Sequence, residues 1–177
     1  EKELYHWAAG SPATYFFCFL HKLTLQICTR RNGMEIKHTS ELLAEIYRNT
    51  HYALQSISDI LPETEDEELR EELKRMHDGY EKISGKAAMF GRENGVELKE
   101  PNPVKKAMMW GSIKMSTLKD NSRAHVAEMM TQGTVMGITA LTRSINENAE
   151  QDERVKDLAE ELLHLEQDYE KKLKNYL

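Results

Sequence analysis

Residues 93–122 read ENGVELKEPNPVKKAMMWGSIKMSTLKDNS, and the course of this stretch decides how the remaining helices are arranged. It begins at the fraying end of a helix, with Gly91 and Gly95 as terminators. Asn102-Pro103 then pairs an Asn cap with a proline at the first helical position, where the missing N–H costs nothing. Val104, Met108 and Met115 continue at helical spacing. A single helix from Pro103 to Asn148 would be about 69 Å long. Asp120 and Ser122 are suitable caps, so the helix is expected to break near Lys119–Ser122. The stretch is then a crossover carrying a short helix of about 24 Å, enough to return the chain along a bundle.

On either side the pattern is helical, and no stretch of four or more residues alternates with period two. Helix A is expected from about Thr39 to Leu61, with Leu42, Leu43, Ile46, Ala53, Ile57 and Ile60 on one face, ended by Pro62. Helix B opens with Thr64-x-x-Glu67, the pattern of a capping box, and buries Leu69, Leu73, Met76, Tyr80, Ile83, Ala87 and Phe90. Helix C runs from about Asn121 to Asn148, with an expected stripe of Leu118, Ser122, Val126, Met129, Gly133, Met136 and Ala140. Helix D runs from about Glu150 to Tyr176 on Val155, Leu158, Leu162, Leu165, Tyr169, Leu173 and Tyr176. These four helices have matched lengths of roughly 35–45 Å. Short links make A–B and C–D antiparallel hairpins, and the long crossover makes B and C parallel. The fold class expected is all-α, a ferritin-like four-helix bundle with a long, partly helical crossover between helices B and C.

Composition agrees with a globular chain. Of 177 residues, 40% are hydrophobic and 31% charged, with 24 basic against 30 acidic side chains. The net charge of −6 argues against nucleic acid or an anionic membrane as partner, since both are bound through Lys/Arg-rich patches. The averages hide a seam near residue 33. Residues 1–33 hold both cysteines, Cys18 and Cys28, six of the thirteen aromatics, and four basic against two acidic side chains. Residues 34–177 hold all nine methionines, no cysteine, and 20 basic against 28 acidic side chains. The apolar run Ala13–Leu20 falls short of the about 20 residues a membrane span requires, and it lacks the flanks of a secretory signal. If Arg30-Arg31 were encoded AGG-AGG, a ribosome-binding sequence would lie just upstream of Met34. The expectation is a non-native leader or translated upstream region over 1–33 and a bundle domain over 34–177. The alternative is an aromatic extension packed on the domain. The cysteine-free main part fits a reducing cytoplasm.

With its capped hairpin, its crossover reading Met108-Met109-Trp110-Gly111-Ser112, and Ala127-Glu128-Met129-Met130-Thr131-Gln132-Gly133 on helix C, the chain resembles uncharacterised bacterial ferritin-like domains over most of residues 34–177. The resemblance implies a carboxylate-bridged di-iron centre in iron-oxidising relatives. Such a centre needs an inward Glu on two helices and Glu-x-x-His on the other two. One such pair occurs, Glu161-Leu-Leu-His164, but Glu161 lies about 80° and His164 about 140° from the apolar stripe of helix D. His125 and Glu128 on helix C come in reversed order, about 60° and 120° off the expected stripe. Helix B carries Glu72 and His77 on opposite flanks, and the centre of helix A reads Ile46, Thr50 and Ala53, without a carboxylate. Charged residues at such positions belong to solvated faces, with His125 at the shoulder of its stripe. No metal or other cofactor is therefore expected. Iron or manganese on Glu161, His164, His125 and Glu128 is the alternative, and it would bring a ferroxidase-type activity.

No phosphate-binding glycine loop, thiol site or motif-arranged serine nucleophile is present in the main part. Methionine is what remains distinctive. Met108, Met109, Trp110 and Met115 crowd the crossover, and such side chains either fill core space or form an adaptable binding surface. The function expected is a non-catalytic one, in which these four residues and helix C bind a protein partner or a second copy of the chain.

Overall fold

The structure is a computed structural model. It describes residues 12–100, 102–117, 120–148 and 152–177, with side-chain surroundings from residue 33 onward except at positions 103, 105, 106, 109, 110 and 116. Among the described residues there are helices and no strand: α1 (Pro12–Ile60), α2 (Glu67–Glu93), α3 (Pro103–Thr117), α4 (Arg123–Glu147) and α5 (Glu153–Leu173), with 3₁₀ turns at Leu61–Glu63 and Lys174–Tyr176. None of these helices is long and apolar enough to cross a membrane.

Local chemistry sets most of the ends. Asp66, Ser122 and Asp152 each accept a hydrogen bond from a backbone N–H in the first turn of the following helix. The Asn102 side chain likewise accepts from the Val104 N–H at 2.8 Å. At the end of α2, Gly95 adopts φ +65°. Its N–H donates to the Arg92 carbonyl and the Val96 N–H donates to the Gly91 carbonyl, the paired closure that a left-handed glycine permits. Leu98 then folds back onto Gly91, where a Cβ would stand 2.8 Å from its methyl carbon.

Two boundaries differ from the sequence expectation. The α1 helix starts at Pro12 rather than Thr39, because neither a proline nor a side-chain cap interrupts it between 33 and 39; among the residues whose side chains are described, Thr39 is the first buried one. Asp66, not Thr64, caps α2. Pro62 tightens the link into a 3₁₀ turn, and the Thr64 hydroxyl is drawn back to donate to the Ile60 carbonyl at 2.9 Å.

Contacts between helices fix their directions. The Asp152 N–H donates to Thr39 Oγ1 at 2.8 Å, and Asn49 meets Glu166 further along, so α1 and α5 run the same way. Glu93 pairs with Arg154 and Lys86 with Glu161, so α2 and α5 are antiparallel. Arg123 at the start of α4 pairs with Asp66 and Glu68 at the start of α2 and lies over the ring of Tyr176 beyond the end of α5. The α2 and α4 helices therefore begin at the same end. Between them α3 runs back along α1 and is tied at its far end by an ion pair of Lys114 with Glu63.

The core lies between α1, α2, α4 and α5, with Leu42, Ile46, Leu73, Met76, Leu141 and Leu162 fully enclosed. Along α2 and α5 the buried residues follow the expected stripes closely. On α4 they do not. Val126, Ala127, Met130, Thr134 and Leu141 are buried, whereas Gly133, Met136 and Ala140 face outward. Apolar residues cover two adjoining sides of this helix, so periodicity alone does not select one. Gly137 decides the phase, because its missing side chain admits Asn49 of α1 and Glu166 of α5.

Candidate functional site

Two features could carry function, one on the surface and one in the core. The surface feature starts with α3, which seats Ile113 against the core and buries Thr117. Those anchors turn the opposite side of the helix outward. Val104, Met108 and Met115 are 65%, 71% and 64% exposed on one stripe at helical spacing. Of the four residues expected to bind a partner, Met108 and Met115 are thus at the surface, and the side chains of Met109 and Trp110 lie outside the described residues. Helix α4 adds Val135 and Met136, the latter 73% exposed. No charged residue occurs on it between Glu128 and Arg143. The outer faces of α2 and α5 are the opposite, laced by ion pairs such as Lys74–Glu71, Lys86–Glu161 and Lys156–Glu160. The outer faces of α2 and α5 are thus strongly charged, and the exposed stretch of α4 between Glu128 and Arg143 is not.

The core feature is a polar cluster at the level of Gly137. Glu166 of α5 is 1% exposed. It accepts from Asn49 Nδ2 of α1 and from the Tyr80 hydroxyl of α2, both at 3.4 Å. Thr134 of α4 is in hydrogen-bond contact with Tyr80. Burial, against a smaller opposing effect of the two hydrogen bonds, pushes the Glu166 carboxyl up to about 8 and favours its protonated form. Burial, reinforced by Glu166, also raises the Tyr80 hydroxyl well above its usual value. Tyr169, whose ring centroid lies 5.5 Å from that of Tyr80, is pushed up to about 12, mainly by burial. Such a cluster can hold a proton in the core. Two surface hollows among the described residues, one along α4 lined by Ile138, Arg143 and Glu147 and one between Tyr52, Glu97 and Lys99, lie elsewhere.

Sequence reasoning missed this cluster, although a signal existed. Glu166 is four residues after Leu162 and three before Tyr169, squarely on the stripe, at a level where the apolar pattern alone selects Leu165. Glu72 is a second buried carboxylate, held by Arg75 at 2.7 Å and Lys172 at 3.5 Å.

The weak metal-ligand candidates lie elsewhere. Glu161 is half-exposed and bound by Lys86 at 2.7 Å, and His164 is exposed. Glu128 is exposed and accepts from Gln132. His125 is half-buried in the first turn of α4, where its backbone N–H donates to the Ser122 cap. Tyr176 marks that end of the bundle, and His164 lies twelve residues earlier on α5, about 18 Å away along the axis. The two pairs are not brought together. Among the described residues, His77, Asp78 and Glu81 do present ligand atoms within 4.8 Å of one another, on one largely exposed turn of α2. No family model, curated protein or solved structure matches the chain.

Proposed function

We propose that the chain is a ferritin-like four-helix bundle of the bacterial kind that works in the cytoplasm as a non-catalytic binding protein, joining a protein partner or a second copy of itself through α3 and α4. The observation that carries this reading is the exposure of large apolar side chains on α3 and α4. Met108, Met115 and Met136 are each more than 60% exposed, and α4 carries no charge between Glu128 and Arg143, while α2 and α5 are charged outside. Contiguous exposed apolar side chains mark interaction surfaces more often than scattered ones do, and methionine suits surfaces that adapt to a partner. The helix directions, with one crossover returning the chain between two hairpins, support the ferritin-like part of the proposal.

A complete di-iron centre is not part of it. The cluster at Gly137 has a single carboxylate, Glu166, surrounded by an amide and hydroxyls. Glu161 and His164, the candidate ligands of the metal-binding alternative, lie on the outer surface.

The test is made on the full chain. Iron and manganese are measured on the purified protein, and its association state is followed by sedimentation with and without Met108→Glu, Met115→Glu and Met136→Glu. Association weakened by any of these substitutions, without near-stoichiometric metal, supports the proposal. Bound iron or manganese lost on Glu161→Ala would establish the metal-binding alternative instead.

A further inference from the structure

The α4 helix carries two seams. One faces the core, through Val126, Met130, Thr134 and Leu141. Beside it Met129, Gly133, Met136, Ala140 and Arg143 recur at alternating intervals of four and three, the spacing by which one helix packs along another. Gly133, Met136, Ala140 and Arg143 are exposed, and a Cβ at Gly133 would find nothing within 4 Å. A helix that is apolar on two adjoining sides needs cover for both. Among the described residues, α4 packs chiefly on α5 and α1, which cover the inner seam.

The outer seam is complementary to itself. When two α4 helices are laid antiparallel across a two-fold axis level with the Met136–Gly137 peptide, Gly133 of each copy falls opposite Ala140 of the other, so small residues meet on both sides of the axis. Glu128, at one end of the uncharged stretch, comes beside Arg143 of the second copy, and this contact occurs twice. Glu147 comes opposite the first turn of the other α4, the positive end of its dipole. A parallel pairing would stack Glu128 on Glu128 and Arg143 on Arg143. Such reciprocal matching is what a two-fold interface requires, because each residue must suit the surface its own symmetry mate presents.

We propose that α4 forms an antiparallel, two-fold interface with a second copy of this chain, centred on Met136. This rests on the association reading above and names its partner. From Met129 to Arg143 the seam is about 21 Å long and one helix, about 10 Å, wide, so it covers far less than the roughly 800 Å² per partner buried in stable complexes. The dimer is therefore reversible and depends on concentration in the micromolar range.

Sedimentation of the full chain over a concentration series tests the proposal. The expected result is a monomer–dimer equilibrium that Met136→Glu weakens at least tenfold while the circular dichroism spectrum is unchanged, since the position is exposed. Glu128→Arg and Arg143→Glu each weaken it, and the double exchange restores it, which only an antiparallel register allows. With Cys18 and Cys28 replaced by Ser, Met136→Cys crosslinks two chains under mild oxidation and Met108→Cys does not. A dimer indifferent to Met136→Glu and to the charge exchange overturns the α4 interface but leaves self-association standing. A monomer at every concentration overturns the inference and leaves binding of a different protein as the proposed function.

Discussion

Gly137 of α4 stands so close to Glu166 of α5 that a Cβ on the glycine would lie 2.7 Å from the carboxyl Oε1. It would also lie 2.8 Å from Asn49 Oδ1. Three helices thus converge on one missing side chain.

Gly137→Ala is expected to destabilise the protein by about 1–3 kcal/mol, because the buried neighbours cannot withdraw without leaving their rotamers. Helix propensity alone would favour Ala over Gly by about 1 kcal/mol. Gly133→Ala on the open side of the same helix shows that gain, being neutral or stabilising by up to about 1 kcal/mol. Urea unfolding of the two variants below the association range reads the difference, and equal effects would contradict the packing at Gly137.

Glu166 gives a pH dependence with a definite sign. Its folded value of about 8 lies above the ordinary 4.5, so the folded protein holds a proton that the unfolded chain has released between those values. Its contribution is fully present below about 4.5 and is lost as pH rises through about 8, a loss on the order of several kcal/mol. Glu166→Gln keeps the shape and removes the titration. The wild-type stability difference between pH 5 and pH 9 is expected to shrink in the variant, measured by urea unfolding at both pH values. An unchanged difference would show that the carboxyl is not held neutral.

Removing the Tyr80 hydroxyl takes away one of the two donors to Glu166. Tyr80→Phe is expected to cost about 1–2 kcal/mol at pH 7 and to raise the Glu166 carboxyl further. Thermal unfolding reads the first effect. Carbon-13 NMR titration of the labelled Glu166 carboxyl reads the second, and a fall instead of a rise would contradict the hydrogen bond.

The Lys86–Glu161 pair is half-exposed on both sides, so solvent screens it. Glu161→Ala is expected to change stability by no more than about 1 kcal/mol. A larger loss that chelator treatment of the wild type reproduces would instead point to a metal at this position.

Helix identity was written locally in the sequence. Asn102, Ser122 and Asp152 cap helices from their own side chains, Gly95 closes α2, and the contrast of charged and apolar residues on α2 and α5 exposes their buried stripes. These signals act over one or two turns, so they need no knowledge of the rest of the chain. The phase of α4 had no such signal, since Met136 and Met130 are equally apolar and only the approach of α1 and α5 to Gly137 puts one outside and the other within. Glu166 was hidden for a related reason. A carboxyl among leucines reads as solvated until Asn49, Tyr80 and Gly137, contributed by three other helices, supply the hydrogen bonds and the space that let it be buried as a neutral acid. Local periodicity determined which segments are helices and which sides of α2 and α5 are buried, and tertiary packing alone decided which side of α4 faces the core and that Glu166 lies within it, because burial depends on neighbours far away in the chain.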